Sequence, residues 1–321
     1  MSGADASARS HAAVYAKLAL VALIWGGTFI AGRVAAAEIA PATAALWRYV
    51  VASGVLIVAQ FMFERGLPRL TGRQWLGVTL LGATGVAAYN LCFMVGMQTV
   101  TASRASLIVA LNPAGTFVGA ALLLGEPFDR RRSLAVAVAL LGAMIVIGRG
   151  DPIAPFTGGI GGGDAVIFGC VASWVAYTLI GKRILVGLSP LAATTYAALT
   201  GTVMLGVAAA VLPPPLGGLH VPQASLAAWA SIAFLGVFGT AVAFVWFYQG
   251  IRAIGPARAA VFINLVPVAA VTLGVLLLGE PLEPSMLAGG ALVVAGVWLL
   301  NRPAPAGRGR AEPVSVAIRS L

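Results

Sequence analysis

Charged side chains are scarce in this sequence. Asp, Glu, Lys and Arg make up 9% of the 321 residues, whereas hydrophobic residues make up 60% and the mean hydropathy is +0.97. A soluble domain carries about a quarter charged residues. The composition therefore excludes an ordinary soluble domain and indicates a protein that lies within a membrane.

Residues that usually build disulfide, metal and nucleotide sites are also few. The two cysteines, Cys92 and Cys170, both fall inside apolar stretches, and His11 and His220 lie far apart. This excludes a disulfide framework and a histidine-based metal site. A phosphate-binding loop of the form GxxxxGK[ST] is missing, which disfavours a pump that hydrolyses ATP by itself. We predict no catalytic residue, no metal and no cofactor.

Ten apolar runs follow one another with short connections. Each is long enough, or nearly so, to cross a bilayer as a helix, which needs about 20 residues. The alternation typical of barrel strands is absent, and a helix satisfies its own backbone polar groups in lipid. The runs lie near residues 15–34, 41–62, 74–97, 103–124, 133–149, 164–182, 190–212, 226–249, 256–278 and 285–301.

The first run has a second interpretation as a signal peptide. Arg9 and Lys17 precede its apolar core, and the stretch 35–37 (AAA) resembles a cleavage site. The core is longer than the usual length of about 7–15 residues, and the run has a counterpart later in the chain. We therefore interpret it as the first membrane span.

Lysine and arginine are unevenly distributed between the two sides of these runs. If the N-terminus is cytoplasmic, sixteen of the 20 lie in cytoplasmic segments, three lie outside and Arg48 lies within a span. This positive-inside bias predicts that both termini are cytoplasmic. The formal net charge of +10 is then a topology signal that faces anionic lipid, and nucleic acid is not an expected partner.

One segment, LLLGEP, occurs twice. Its copies at Leu122–Pro127 and Leu276–Pro281 are 154 residues apart. Other pairs at this offset include Trp75 and Trp229, Gly82 and Gly236, Gly85 and Gly239, and Pro113 and Pro267, and earlier pairs at an offset of 149 include Trp25 and Trp174. The matches indicate that the chain is a duplicated unit.

Each copy holds five runs, and the odd number sets their arrangement. The second copy must enter the membrane from the opposite side, which produces the inverted repeat of many secondary transporters. The sequence thus predicts an all-α integral membrane protein with ten transmembrane helices as two inverted five-helix repeats. The repeats cover residues 15–150 and 164–302, between a cytoplasmic N-terminal tail (1–14) and a disordered cytoplasmic tail (303–321).

Several segments make the chain resemble a known family. They are WGGTFIAGR at Trp25–Arg33, the second-span stretch Pro41–Tyr49, NPAGTFVGAALLLGEP at Asn112–Pro127, GDAVIFGCVASWVAYTLIGKR at Gly163–Arg183 and GIRAIGPARAAVFINLVPVAAVTLGVLLLGEP at Gly250–Pro281. Through them the sequence from Ala16 to Arg302 resembles the drug/metabolite transporter superfamily, specifically proteins with two EamA-type domains. The resemblance implies a ten-helix inner-membrane carrier for small metabolites, often an amino-acid exporter.

Arg48 is the one formal charge that falls inside a predicted span. A charge at the centre of a span costs about 3 kcal/mol, so such residues usually face a cavity or a partner. A substrate carboxylate is one interpretation of that partner. In the other, Arg48 reaches the interface or ties helix ends together through backbone carbonyls. Its repeat counterpart is Ala197, so the packing of the repeats does not require the charge, and both interpretations stay open.

Polar and aromatic residues recur at mid-span depth in both repeats. Asparagine in the hydrocarbon layer needs partners, whereas Trp and Tyr supply apolar walls with one polar group. Ordinary helix packing is the competing interpretation for each of them. As a set, the predicted lining of the substrate cavity is Arg48, Trp25, Thr28, Tyr89, Asn90, Asn112, Trp174, Tyr177, Tyr196, Trp246 and Asn264.

Prolines and glycines mark predicted bends and ends of helices. Pro113 and Pro267 lie well inside the fourth and ninth runs and lack the amide that closes a helical hydrogen bond. They predict kinks at matching sites, whether these move or are fixed. Within LLLGEP, Gly125 and Gly279 predict helix ends.

Acidic residues are missing from the middle of every predicted span, so the usual carboxylate of a proton-coupled carrier is absent. Asp164, at the start of the sixth run, is the best candidate at a helix end, and capping that helix is its simpler role.

The predicted function is secondary transport of small metabolites by alternating access, with amino-acid export as the leading case. Efflux of drugs or other toxic compounds is the alternative. A membrane enzyme would need an acid–base or metal cluster, and a channel would need a filter motif, and the sequence contains neither. Expected partners are a small-molecule substrate and the lipid bilayer, and a homodimer stays open.

Overall fold

The computed structural model describes residues 3–125, 130–157, 161–184, 187–219 and 223–301. Within these ranges every regular element is helical. The predicted tail at 303–321 and one copy of the Glu-Pro pair, at 126–127, lie outside the described residues.

The helices follow the predicted apolar runs closely. The first begins at Gly3, upstream of the predicted start at residue 15. In chain order they are α1 (Gly3–Glu38), α2 (Pro41–Glu64), α3 (Gly72–Leu81), a π-helical segment (Gly82–Ala88), α4 (Tyr89–Met97), α5 (Ala102–Val109), α6 (Asn112–Leu124), α7 (Arg130–Ile147), a short 3₁₀ turn (Ala154–Thr157), α8 (Gly162–Ile184), α9 (Pro190–Val211), α10 (Leu226–Gly236), a second π-helical segment (Val237–Val242), α11 (Ala243–Ile254), α12 (Pro256–Ile263), α13 (Val266–Leu278) and α14 (Pro284–Asn301).

Eight stretches of the described chain are long and apolar enough to cross a membrane. The chain is therefore a multi-pass membrane protein. The helices α7 and α14, each 18 residues long, fall outside this set of eight. The eight stretches are Ala13–Glu38, Pro41–Glu64, Gly72–Met97, Ala102–Leu124, Gly162–Gly181, Pro190–Val211, Leu226–Ile251 and Val261–Leu278.

Local sequence explains where several helices begin and end. Thr71 and Gln74 form a reciprocal capping box at the start of α3, and the Ser225 hydroxyl caps α10. Gly125 and Gly279 adopt left-handed φ angles of 68° and 64° directly after α6 and α13. The prediction that the glycines of LLLGEP end helices is confirmed.

The predicted proline kinks are complete interruptions of the helix. α5 ends at Val109 and α6 restarts at Asn112, with Pro113 as its second residue. The second half repeats this break with Pro267 as the second residue of α13. The missing proline amide would have no partner in a first helical turn, so proline favours a restart there over a bend in a continuous helix.

Contacts between the halves also occur in equivalent pairs. The first helix of each half packs against the other half: α1 contacts α10, α11 and α13, and α8 contacts α3, α4 and α6. At the centre, the hydroxyls of Ser53 and Thr202, which are 149 residues apart, lie 2.9 Å from each other. The two halves therefore interlock around a common core.

Successive spans run in opposite directions, so the bundle has two ends. The Glu38 end joins the C-terminus of α1 to the start of α10, where the Ser225 amide donates to Glu38 at 2.7 Å. The Glu64 end joins the C-terminus of α2 to the start of α9, where the Ser189 hydroxyl donates to Glu64 at 2.6 Å.

The helices α7 and α14 form the most extensive helix pair. A Cβ atom on Gly142 would lie 2.5 Å from the carbonyl oxygen of Gly289, and one on Gly296 would lie 2.6 Å from the amide of Ala139. Gly142 and Gly296 are counterparts at the offset of 154. Small residues thus let the two backbones touch at equivalent places.

Candidate functional site

A cavity of about 730 Å³ lies at the centre of the bundle between the two halves. Both helix breaks contribute to its wall, through Asn112 and Pro113 in one half and Asn264 and Pro267 in the other. Both π-helical segments contribute as well, through Gly85 and Thr240 among others. Discontinuous helices at matching positions of two repeats are a common basis for transporter binding sites.

Nine of the eleven predicted cavity residues lie on this wall. Both prolines predicted to kink helices, Pro113 and Pro267, lie there too. The nine are Trp25, Thr28, Arg48, Tyr89, Asn90, Asn112, Trp174, Tyr177 and Asn264.

Tyr196 and Trp246 are not among the described lining residues. The Tyr196 hydroxyl donates to the carbonyl of Pro68 at 2.7 Å, and its ring lies 5.4 Å from Trp75. Trp47 and Trp229, the counterparts of Tyr196 and Trp75, form the equivalent pair at 5.6 Å. Tyr196 therefore belongs to a packing contact that both halves share.

Arg48 is buried at the cavity wall with 8% of its surface exposed. Its guanidinium carbon lies 5.5 Å from the ring centroid of Tyr49 and 5.9 Å from that of Phe93. Its Nε has no hydrogen-bond partner in the described part of the chain. The rings shield the cation without neutralising it, since a cation–π contact contributes only about 0.5–2 kcal/mol.

Aromatic rings form two faces of the cavity, one around Trp25 and one around its repeat counterpart Trp174. Trp25 lies 5.7 Å from Phe244 and 5.3 Å from Phe247, and its indole donates to the carbonyl of Gly239 at 3.1 Å. Its counterpart Trp174 lies 5.8 Å from Tyr89 and 5.3 Å from Tyr177. These faces suit an apolar or aromatic ligand.

Three asparagines on the cavity wall keep an amide atom unpaired within the described chain. Asn90 donates to the carbonyl of Val86 at 2.8 Å, while its Oδ1 has no partner. The Oδ1 of Asn112 and the Nδ2 of Asn264 also lack one. Buried polar atoms are rarely left unpaired, so these three are the atoms of the wall that lack a described partner and that a ligand or water would pair.

Several lining residues were not predicted from the sequence. Thr240, Phe244 and Phe247 follow one another at spacings of four and three, which place them on one face of a helix. That spacing was the signal that could have identified them. Arg132 also lines the cavity, although the sequence suggested only a topology signal for it.

A model of the EamA-like transporter family matches residues 13–148 and 161–302. The chain belongs to the EamA-like transporter family. It is a transporter and not an enzyme, and the two matched segments give it the two-repeat architecture of that family.

Relatives of this EamA-like transporter resemble it along most of its length. It is 32% identical to a probable terminal-alkyne amino-acid exporter of Streptantibioticus cattleyicolor over 89% of this chain and 92% of the relative. It is 28% identical to the uncharacterized transporter YyaM of Bacillus subtilis, over 89% and 93%. It is also 28% identical to the uncharacterized inner membrane transporter YedA of Escherichia coli K12, over 86% of each chain.

The fold of this EamA-like transporter also occurs in a solved crystal structure. The two superpose with a TM-score of 0.61 at 17% identity, over 90% of this chain and 97% of the other.

The Glu38 end of the EamA bundle is held together by contacts between its two repeats. Both carboxylate oxygens of Glu280 accept from the start of α5, at 2.7 Å from the amide of Ala102 and 3.0 Å from that of Ser103. Arg104 pairs with Asp164 through two hydrogen bonds of 2.8 and 2.6 Å. Asp164, which the sequence suggested as a cap or a coupling group, thus lies in an ion pair between the repeats.

The cavity of the EamA bundle extends toward the Glu64 end. Arg132 at the start of α7, Thr194 near the start of α9 and Leu300 at the end of α14 all line it. The guanidinium carbon of Arg132 lies 5.8 Å from the Phe117 ring. The wall therefore runs from the helix breaks at mid-depth to the Glu64 end.

Proposed function

We propose that the chain is a secondary carrier of the inner membrane that exports a small amphipathic metabolite by alternating access. The observation that carries the proposal is the central cavity between the repeats, with a helix break from each repeat in its wall. The contacts at the Glu38 end and the extension toward the Glu64 end support a state that opens at the Glu64 end.

The proposal includes ten membrane spans as two inverted repeats. The helices α7 and α14 would add the last two spans to the eight stretches of sufficient length. Equivalent contacts support the inversion, since the Trp47–Trp229 pair lies toward the Glu38 end and the Tyr196–Trp75 pair toward the Glu64 end. An in-plane twofold axis relates such positions in inverted repeats.

The positive-inside bias supports a cytoplasmic Glu64 end, with both termini on that side. To release substrate on the other side, the repeats would rock so that the contacts of Glu280 and Arg104 break. Because the repeats are inverted, equivalent contacts between them at the Glu64 end would then form and close that end.

Orientation can be tested by labelling single cysteines. Leu67, in the loop after α2, and Ile153, in the loop after α7, are both exposed and lie at opposite ends. We expect a membrane-impermeant maleimide to label Ile153→Cys in intact spheroplasts and Leu67→Cys only in inverted vesicles. Wild type, with half-buried Cys92 and buried Cys170, is the control. The reverse pattern would refute the orientation.

Amino acids are the first substrates to test. The named function of the relative from Streptantibioticus cattleyicolor, at 32% identity, supports an amino-acid-like compound. The aromatic faces of the cavity favour a member with an apolar or aromatic side chain. Efflux of other lipophilic compounds is the alternative that the same faces support.

Counterflow in proteoliposomes tests the transport proposal. We expect vesicles preloaded with unlabelled phenylalanine to accumulate labelled phenylalanine transiently. Trp174→Ala should slow this by roughly tenfold, since an aromatic anchor contributes about 1–2 kcal/mol to ligand binding. Trp246→Ala is the matched control, because Trp246 is not among the described lining residues. Equal losses in both variants would refute the assignment of the cavity, and no accumulation by wild type would refute amino-acid transport.

A further inference from the structure

The charge of the cavity wall points to a class of ligand, on the premise that this cavity is the transport site. Two lining residues, Arg48 and Arg132, carry a formal positive charge. No Asp or Glu occurs among the described lining residues. A cation that enters would be repelled without a counter-charge, whereas an anion would be attracted.

Three carboxylates at the Glu38 end are bound to partners other than Arg48. Glu280 is bound to the start of α5, and Asp164 is paired with Arg104. Glu38 accepts two hydrogen bonds from Ser225, at the loop before α10. These acids hold the Glu38 end and leave Arg48 without an acidic partner in the described chain.

The close contact between the repeats at position 48 uses the backbone of Arg48 and not its guanidinium. A Cβ on Gly236 would lie 2.8 Å from the carbonyl oxygen of Arg48. In the equivalent contact, a Cβ on Gly82 would lie 2.8 Å from the carbonyl oxygen of Ala197. The close backbone packing is thus the same on both sides, although Ala197 has no charge. The repeat architecture tolerates alanine at this place, which leaves the guanidinium available for a ligand.

Away from Arg48 and Arg132, the cavity wall suits an uncharged part of a ligand. The two aromatic faces around Trp25 and Trp174 supply apolar surface, and the unpaired amide atoms of Asn90, Asn112 and Asn264 supply neutral hydrogen-bond groups. An α-ammonium group could lie against the rings by cation–π attraction, but no described carboxylate would receive it. Charge therefore favours an anion over a zwitterion and a zwitterion over a cation.

We propose that the ligand is an amphipathic carboxylate whose anionic group pairs with Arg48 and whose apolar body lies between the two aromatic faces. A ligand of this class binds with or without an α-amino group. The carboxylate would accept the guanidinium hydrogen bonds that no described residue accepts.

Three compounds of one shape separate the charge classes: 3-phenylpropionate, phenylalanine and phenethylamine. Binding is measured as the thermal stabilisation of the purified full-length protein, and transport as counterflow in proteoliposomes. We expect 3-phenylpropionate and phenylalanine to stabilise and exchange, and phenethylamine to do neither. Arg48→Met should weaken 3-phenylpropionate binding by at least about tenfold, because a hydrogen-bonded charge pair is lost. The conservative Arg48→Lys should retain part of it.

Controls keep the ligand class and the carrier proposal separable. Arg73→Met, at an exposed position in α3, should bind all three compounds as wild type does.

Phenethylamine exchange without 3-phenylpropionate exchange would overturn the ligand class and leave the carrier proposal standing. Binding of 3-phenylpropionate that Arg48→Met abolishes, without counterflow of any compound, would support the ligand class and refute the carrier. If Arg48→Met aggregates, the ligand class is decided by comparing the three compounds on wild type, and the role of Arg48 is decided by the affinity of Arg48→Lys for 3-phenylpropionate. Folded wild type that binds none of the three would overturn the class.

Discussion

Replacing Gly142 with leucine is expected to prevent α7 and α14 from packing and to abolish stable, monodisperse protein. The first atom of the new side chain would lie 2.5 Å from the Gly289 carbonyl oxygen and 2.7 Å from the Val293 amide. Both are backbone atoms of a helix, so they cannot move aside as a side chain can. The cost should reach or exceed the upper end of the about 1–3 kcal/mol usual for overpacking.

Gly54→Leu is the matched control for this substitution. Gly54 is also a helical glycine, in α2, and a Cβ there would meet nothing within 4 Å. Leucine favours a helix more than glycine does, so this variant should be as stable as wild type or slightly more stable. Size-exclusion profiles and melting temperatures in detergent measure both. Equal behaviour of the two variants would contradict the proposed contact between α7 and α14.

Replacing Glu280 with alanine is expected to open the Glu38 end. Its carboxylate accepts from the amides of Ala102 and Ser103 and from the Ser103 hydroxyl. Hydrogen bonds to a charged group contribute about 1.5–3 kcal/mol each, and an anion at a helix N-terminus adds to this. Loss of the carboxylate therefore shifts the carrier toward a state open at that end.

The opening can be measured as access to the cavity. In a Thr28→Cys background, Glu280→Ala should raise the rate of maleimide labelling from the Glu38 end by at least about tenfold, which corresponds to about 1.4 kcal/mol. Thr28 lines the cavity. Glu283→Ala is the control, since the Glu283 carboxylate accepts from Ser285 within its own segment. A Glu280→Ala variant labelled at the wild-type rate would show that these bonds do not hold the end closed.

The positions of the membrane helices were predictable because each helix in lipid needs a long run of apolar residues, and such runs are visible in the sequence. The start of α2 at Pro41 and the end of α13 before Gly279 follow from single residues with one favoured backbone role. The helix breaks were predicted less well. Pro113 and Pro267 gave the positions. A proline is compatible both with a kink in a continuous helix and with the start of a new helix, and packing against neighbouring helices decides which of the two forms.

The cavity was predictable as a set of residue types, and less so residue by residue. Trp25 and Tyr196 look alike in the sequence, since both lie in spans that are apolar on all sides. A helix of that kind has no polar face to show its rotation. Packing of Tyr196 against Trp75 removed it from the wall, and packing of α11 against α1 brought Phe244 and Phe247 to Trp25.

The sequence by itself determined the membrane setting, the duplication and the family, because composition, spacing and motifs are properties of the chain alone. Only the tertiary structure decided the partners of the charged groups. It joined Arg104 to Asp164 and Glu280 to the start of α5, and it left Arg48 among rings at the cavity wall. Arg104 and Asp164 are 60 residues apart in sequence, and Glu280 is 178 residues from the amide of Ala102 that it binds. Such groups meet only when two interlocked repeats bring their helix ends together.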